Sequence, residues 1–288
     1  MKKGACAQEP FFIVFMKRRF RKGPLFFWQF GNNNYFYLSI IAMGVPVFQL
    51  LNFSLILIVL VIFIRFMWDV FFDNNYKPAG WQHAVQEGMI SKRLQQLERN
   101  YPDKVRFFNW WFQVERLRKA KVAGDFAELG VYKGESARIL HHMDPTRKFH
   151  LFDTFEGLPA RDLQLERGEA ATYSPDNFAD TNMERVLRFL GANDRFVIHQ
   201  GYFPDTTTGF RDEKFALVNI DADLYNPTRA GLDFFYPRLS PGGVLLIHDY
   251  NPKWEGVMKA VDDFLASIPE NPDILPDMDG TVMIIRNK

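Results

Sequence analysis

Cysteine is almost absent. Cys6 is the only one in 288 residues, so the chain cannot close a disulfide within itself, and a reducing compartment fits. An excess of either charge is also missing: the formal net charge is +1, which gives no global attraction for nucleic acid, and none is expected as a partner. The spacing G-x-G-x-x-G does not occur, which argues against a nicotinamide or flavin dinucleotide held by its pyrophosphate. No histidine lies between Phe152 and Ile198. Charged residues vanish from Gly23 to Ile64, directly after the basic cluster KRRFRK at Lys17–Lys22.

That charge-free stretch contains VPVFQLLNFSLILIVLVIFI, Val45–Ile64. About twenty residues at a helical rise span about 30 Å, the thickness of a bilayer core, and a transmembrane helix is expected. Gln49, Asn52 and Ser54 weaken its first half, and Pro46 suits a helix start. A buried hairpin, or a soluble domain beginning at Met67, is the competing reading. The basic cluster favours an N-terminus on the cytoplasmic side. A single span would then export the rest, and a second crossing within residues 24–44 would bring it back. DNNYKPAG has linker chemistry and divides a region 1–72 from a domain 73–288. The expected location is the membrane with the domain in the cytoplasm, or the cytoplasm alone if the apolar stretch is not a span.

The rest of the chain is ordinary globular sequence. AVQEGMISKRLQQLERN and NWWFQVERLRKAKVAG show the mixed spacing of amphipathic helices, and Trp110, Trp111 and Phe112 read as core. Strands and helices then alternate: DFAELG, GESARILHHM, KFHLFD, NMERVLRFLG, RFVIHQG, KFALVNID, TRAGLDFFYPRL, GGVLLIHD, WEGVMKAVDDFLASI, and finally one or two strands in DILPDMDGTVMIIRN. Repeated strand–helix–strand units predict an α/β fold with a doubly wound, Rossmann-like parallel sheet preceded by helices. Ligands of such sheets lie beyond the carboxyl ends of the strands. Glu128, Asp153, Asp221 and Asp249 all fall at those ends.

Charge at a strand end is costly unless paired. In FAELGVYKGESARIL, Gly130 permits close approach of a ligand and Gly134 relieves the helix entrance. Glu128 beside that turn would repel phosphate and suits a cationic group such as the amino group of a methionine moiety. Asp153, at the end of the next strand, suits ribose hydroxyls. Together these favour S-adenosylmethionine. IDADLY and, 28 positions on, the HDY of GVLLIHDY place Asp221 and Asp249 at two further strand ends. Asp223 is expected to cap the following helix. The polar segment 159–180 is expected to cover the crevice as a substrate lid.

FAELGVYKGESA, LFDTFEGLP, GYFPDT, IDADLY and LSPGGVLLIHDY resemble, in order and spacing, the macrocin O-methyltransferase family, over roughly residues 100–288. Those enzymes methylate sugar hydroxyls of antibiotics. The resemblance implies a class I S-adenosylmethionine fold and a divalent ion, usually Mg2+. It implies Glu128 and Gly130 at the methionine end, Asp153 at the ribose and Gln200 near the adenine edge. Asp221 and Asp249 match metal ligands of the family. Where the family usually has DDY this chain has HDY, so His248 stands in place of an acid. Imidazole moves preference toward Mn2+ or another transition ion, and His248 is alternatively the general base, because the family's histidine after DTFEGLP is missing. Tyr173 falls in the corresponding insert as a substrate-positioning candidate. The implied reaction is metal-dependent methyl transfer from S-adenosylmethionine to a hydroxyl of a small glycosylated or polyhydroxylated acceptor, in natural product biosynthesis. The competing readings are a nucleotide-dependent oxidoreductase and a non-catalytic membrane module that binds S-adenosylmethionine or a partner. A homo-oligomer is compatible with the sequence.

Overall fold

The computed structural model describes residues 41–71, 77–191 and 194–287. Cys6, the basic cluster, and residues 24–40 of the segment expected to hold a second crossing lie outside them. The chain divides into two units, Met1–Asp73 and Asn74–Lys288.

In the first unit, helix α1 runs Ile41–Phe71 and extends beyond the apolar run at both ends. Pro46 sits inside it, in the second turn, rather than at its start. From Pro46 to Trp68 it is long and apolar enough to cross a membrane, and that stretch has no buried share. Leu55, Ile58, Ile62 and Phe63 are among its exposed side chains.

The second unit opens with three helices, α2 (Ala79–Gln86), α3 (Lys92–Asn100) and α4 (Lys104–Lys119). The first of the two expected amphipathic helices is thus broken. Ser91 is the reason: its Oγ accepts from Leu94 N at 3.1 Å and begins α3 afresh. Asp103 does the same for α4, accepting from Arg106 N at 2.9 Å. That cap starts α4 five residues before the expected Asn109. Trp110 and Trp111 are buried, as expected of core residues, whereas Phe112 is 45 % exposed.

Strands and helices then alternate as β1 (Asp125–Leu129), α5 (Glu135–Met143), β2 (Phe149–Asp153), α6 (Ala160–Leu163), α7 (Met183–Leu190) and β3 (Phe196–Gln200). They continue as β4 (Phe215–Ile220), α8 (Tyr225–Phe235), β5 (Leu239–Ile247), α9 (Glu255–Leu265), β6 (Asp273–Leu275) and β7 (Thr281–Ile285). The seven strands form one sheet in the order β3-β2-β1-β4-β5-β7-β6. The sheet is mixed, a correction to the all-parallel expectation. β7 pairs antiparallel with both β5 and β6, because the short connection after β6 allows a hairpin but no crossover.

β4 is the central strand and all six of its residues are buried, as its unbroken apolar run requires. Two apolar clusters fill the layers. One joins Phe107, Trp110 and Leu117 of α4 to Phe126, Leu151 and Leu217; the other joins Phe235, Val257 and Val261 to Leu129, Val218 and Ile247. The α/β Rossmann-like sheet is therefore as expected apart from β7.

Candidate active site

Strand order reverses between β1 and β4, so the loops leaving these two strands part in opposite directions. Gly130 and Asp221 form the junction. Asp221 N donates to Leu129 O at 2.8 Å, and Gly130 N donates to Phe152 O at 3.0 Å. Gly130 has φ 84°, and a Cβ there would lie 1.8 Å from the Asp221 carbonyl oxygen. Only glycine fits. A cavity of about 330 Å³ opens over this junction, with Gly130, Asp153, Asp221 and Asp223 in its wall. Pro159, Asp162 and Phe178 of the segment expected to be a lid are also in the wall.

Asp153 is held by the backbone. Its Oδ2 accepts from Val131 N at 2.6 Å and Tyr132 N at 2.8 Å, and its Oδ1 from Phe155 N at 2.6 Å. The carboxylate thus shapes the glycine turn and still presents lone pairs to the cavity. Gly134 is in the left-handed region at the start of α5 and packs toward Val186; it is not in the cavity wall. Gln200 ends β3, is exposed, and lines a shallow neighbouring depression together with Arg161 and Tyr202.

Glu128 departs from expectation. It is 0 % exposed and absent from the cavity wall. Its Oε1 accepts from Asn219 Nδ2 at 2.7 Å, across the β1–β4 register pair Glu128↔Asn219. Burial pushes its pKa up to about 8, against the pull of hydrogen bonds from Ser136 and Asn219. Near neutral pH it is therefore a buried neutral acid, not a counter-charge facing the cavity.

The second set of acids converges. One ligand atom each from Asp221, His248 and Asp249 lies within 4.8 Å of the others. His248 Nδ1 is 3.1 Å from Asp221 Oδ1 and 3.1 Å from Asp249 Oδ1. Burial works against the imidazolium, but Asp221 and the two hydrogen bonds outweigh it and lift the His248 pKa to about 10. In this arrangement the ring is a donor, and it serves as a base only after that proton has left. Burial likewise opposes charge on Asp221, yet His248 and Arg106 hold its carboxyl far below the usual range.

Asp223 does not cap α8. The N-cap is Leu224, without a side-chain bond, and Tyr225 N donates instead to Glu166 Oε1 at 2.7 Å. A φ of 58° turns Asp223 back toward the cluster, where burial and the adjacent Asp249 push its pKa well above normal. Tyr173, the substrate-positioning candidate, is outside the cavity wall, with its ring against Trp254 at 5.3 Å and Phe178 at 5.8 Å.

The donor set fits a divalent ion in kind. Two carboxylates and one imidazole suit a borderline ion such as Mn2+ better than Mg2+, which favours oxygen alone. The cavity likewise fits a sulfonium nucleoside in kind: Asp153 and Asp221 give its wall carboxylates for a cationic ligand, and the missing Cβ at Gly130 lets the turn pass against the Asp221 backbone.

Two wall residues carried no motif. Tyr101 precedes α4, and Arg106 lies in its first turn. Arg106 Nη2 donates to Asp221 Oδ2 at 2.8 Å, and its side chain is only 8 % exposed. Its Cζ lies 4.8 Å from the Trp110 ring centroid, an i,i+4 contact on α4. The legible signal was a lone cation inside the run VRFFNWWF, whose other residues are apolar except Asn109.

The family model described as macrocin-O-methyltransferase (TylF) matches residues 92–286. An 8-demethyl-8-(2,3-dimethoxy-α-L-rhamnosyl)-tetracenomycin-C 4′-O-methyltransferase of Streptomyces olivaceus is 28 % identical over 247 residues, covering 78 % of this chain and 92 % of that protein. A mycinamicin III 3″-O-methyltransferase of Micromonospora griseorubida is 32 % identical over 151 residues, covering 48 % and 59 %. The solved structure of the O-methyltransferase NovP superposes with a TM-score of 0.55 at 26 % identity, covering 64 % of this chain and 81 % of that one.

Proposed function

The chain belongs to the macrocin O-methyltransferase family and is an S-adenosylmethionine-dependent O-methyltransferase, and from that premise we propose that its acceptor is a sugar hydroxyl of a small glycosylated molecule. The observation that carries this reading is the cavity at the β1–β4 junction, with a glycine that admits no side chain between two carboxylates of different character. The names of two relatives, acting on a rhamnosyl-tetracenomycin and on mycinamicin III, support a glycosylated acceptor.

In this reading Gly130 lets the donor lie against the turn, and Asp153 accepts from the ribose hydroxyls. Gln200 meets the adenine edge from the neighbouring depression. Glu128 and Gly134 act beneath the wall by holding its shape. The acceptor enters past Pro159 and Phe178, which exclude water from the reacting oxygen. Asp221 faces that oxygen, and His248 is the proton acceptor behind it once its own proton has left. The chain's contribution is chiefly alignment of oxygen and methyl. A divalent ion held by Asp221 and Asp249, with His248 as a third ligand only where it is not the base, would lower the pKa of the acceptor hydroxyl.

Residues 1–72 serve as the membrane region and 73–288 as the enzyme domain, with Pro46–Trp68 of α1 as the anchor and the domain on the cytoplasmic side. About 23 residues at 1.5 Å each reach across a bilayer core. One preparation tests both points. The full chain, mixed with lipid vesicles, should float with them. Given methyl-labelled S-adenosylmethionine, Mn2+ or Mg2+, and rhamnosylated acceptors, it should label the sugar. Binding of S-adenosylmethionine with no label in any acceptor would point to the non-catalytic module; a protein that stays with the soluble fraction would remove the anchor.

A further inference from the structure

We propose that Arg106 is a resident counter-cation of the site: its guanidinium holds Asp221 where a divalent ion would act, so guanidinium and ion compete for one carboxylate. The inference rests on the proposed function only in taking Asp221 as an ion ligand.

Four observations carry it. Both oxygens of Asp221 are engaged by nitrogen, Oδ2 by Arg106 Nη2 at 2.8 Å and Oδ1 by His248 Nδ1 at 3.1 Å. The Arg106 side chain is nine-tenths buried, in the cavity wall, and its Nε has no hydrogen-bond partner. A buried guanidinium with one orphaned N–H depends on Asp221 for its counter-charge. The arginine is also hard to move. Asp103 accepts from Arg106 N at 2.9 Å and from Met278 N at 2.8 Å, fastening the start of α4 to the β6–β7 connection. Trp110 covers the guanidinium face.

A guanidinium, unlike an imidazole, does not shed its proton to make room for a cation. An incoming ion must therefore draw an oxygen of Asp221 away from a bound N–H and then sit close to a fixed positive charge. Two consequences follow. The cluster remains assembled without an ion, because Arg106 already neutralises Asp221. Divalent ions bind more weakly than two carboxylates and an imidazole would bind them alone.

The test is Mn2+ titration of the EDTA-stripped full chain, followed by the spin-resonance signal of free Mn2+, for the wild type, Arg106→Met and Arg106→Gln. Both variants should bind Mn2+ at least about tenfold more tightly, since a like charge a few ångströms away is removed. Their melting temperatures in EDTA should fall below the wild type's, and Mn2+ should restore them. A variant that folds only when Mn2+ is supplied is the same result in another form. Equal or weaker Mn2+ binding by folded variants overturns the proposal. So does a variant that fails to fold both in EDTA and in Mn2+, because the arginine would then have a structural role no ion can assume. Calorimetry of S-adenosylmethionine on the same samples keeps the two readings apart: a wild type that fails to bind it sinks the methyl-transfer function while leaving the Mn2+ comparison intact.

Discussion

Asp153 and Asp221 sit at the carboxyl ends of β2 and β4, on two sides of one cavity, and are held in opposite ways. Asp153 is gripped by three backbone N–H groups from residues 131, 132 and 155, all close in sequence to the strands it joins. Asp221 is gripped by two cationic side chains, one 115 residues away on α4 and one 27 residues away after β5. The first carboxylate ties the backbone after β1 to the backbone after β2. The second exists as a charge only because distant elements bring partners to it. A strand-end acid can thus be a backbone organiser or half of an ion pair, and the residue type alone does not distinguish them.

The largest effect should come from the residue that joins the two sides. Gly130→Ala would press a Cβ to 1.8 Å from the Asp221 carbonyl in a left-handed backbone. Strain of about 3 kcal/mol is expected, and calorimetry should show S-adenosylmethionine binding weakened by about a hundredfold or more. Normal binding by this variant would mean that the donor does not lie against the turn.

Asp153→Asn is the sharper comparison. An amide keeps one acceptor oxygen where three N–H groups now bond. Loss of the charge-assisted bonds should cost about 1–3 kcal/mol of stability in urea unfolding and weaken S-adenosylmethionine binding. Unlike the Arg106 variants, it should leave Mn2+ affinity unchanged. A change in Mn2+ affinity would show that the two halves are coupled through Gly130 and not independent.

The smallest effect concerns two histidines that repeat the contrast. His248 has carboxylates beside it, whereas His199 faces His150, with Nε2 3.0 Å from His150 Nδ1. His150 in turn reaches Asp125 at 3.2 Å through its other nitrogen. Burial, with His150 adding to it, lowers the His199 pKa from 6.5 to about 4. The folded state therefore favours neutral His199 and binds fewer protons than the unfolded state between those values. Its contribution is present above about pH 6.5 and fades as pH falls toward 4. Because the ring is partly exposed, about 1–2 kcal/mol is expected. Unfolding curves of the wild type and His199→Gln should differ in pH slope only within that window; parallel slopes would remove the assignment.

The alternation of apolar strands with amphipathic helices made the sheet legible, because a parallel strand buried on both faces must be apolar throughout, as FALVNI is. The reversed β7 was not legible: its direction is set by the short connection after β6, not by its own residues. The glycine turn and Asp153 were legible because backbone N–H groups at the ends of two neighbouring strands serve as donors whatever side chains they carry. Glu128 was misread as facing the cavity, since side-chain alternation along a strand does not say which face the cavity opens on. Asp223 was misread as a cap because Glu166, from a segment without strong periodicity, takes that role.

The sequence by itself determined the order of strands and helices, the place where the chain must turn on glycine, and the gathering of acids at one rim, because these depend on backbone sterics and on apolar periodicity. Only the tertiary structure decided which acids carry charge and what balances them. Electrostatic energy depends on distance and burial, and Arg106 comes within 2.8 Å of Asp221 only when α4 packs against the sheet.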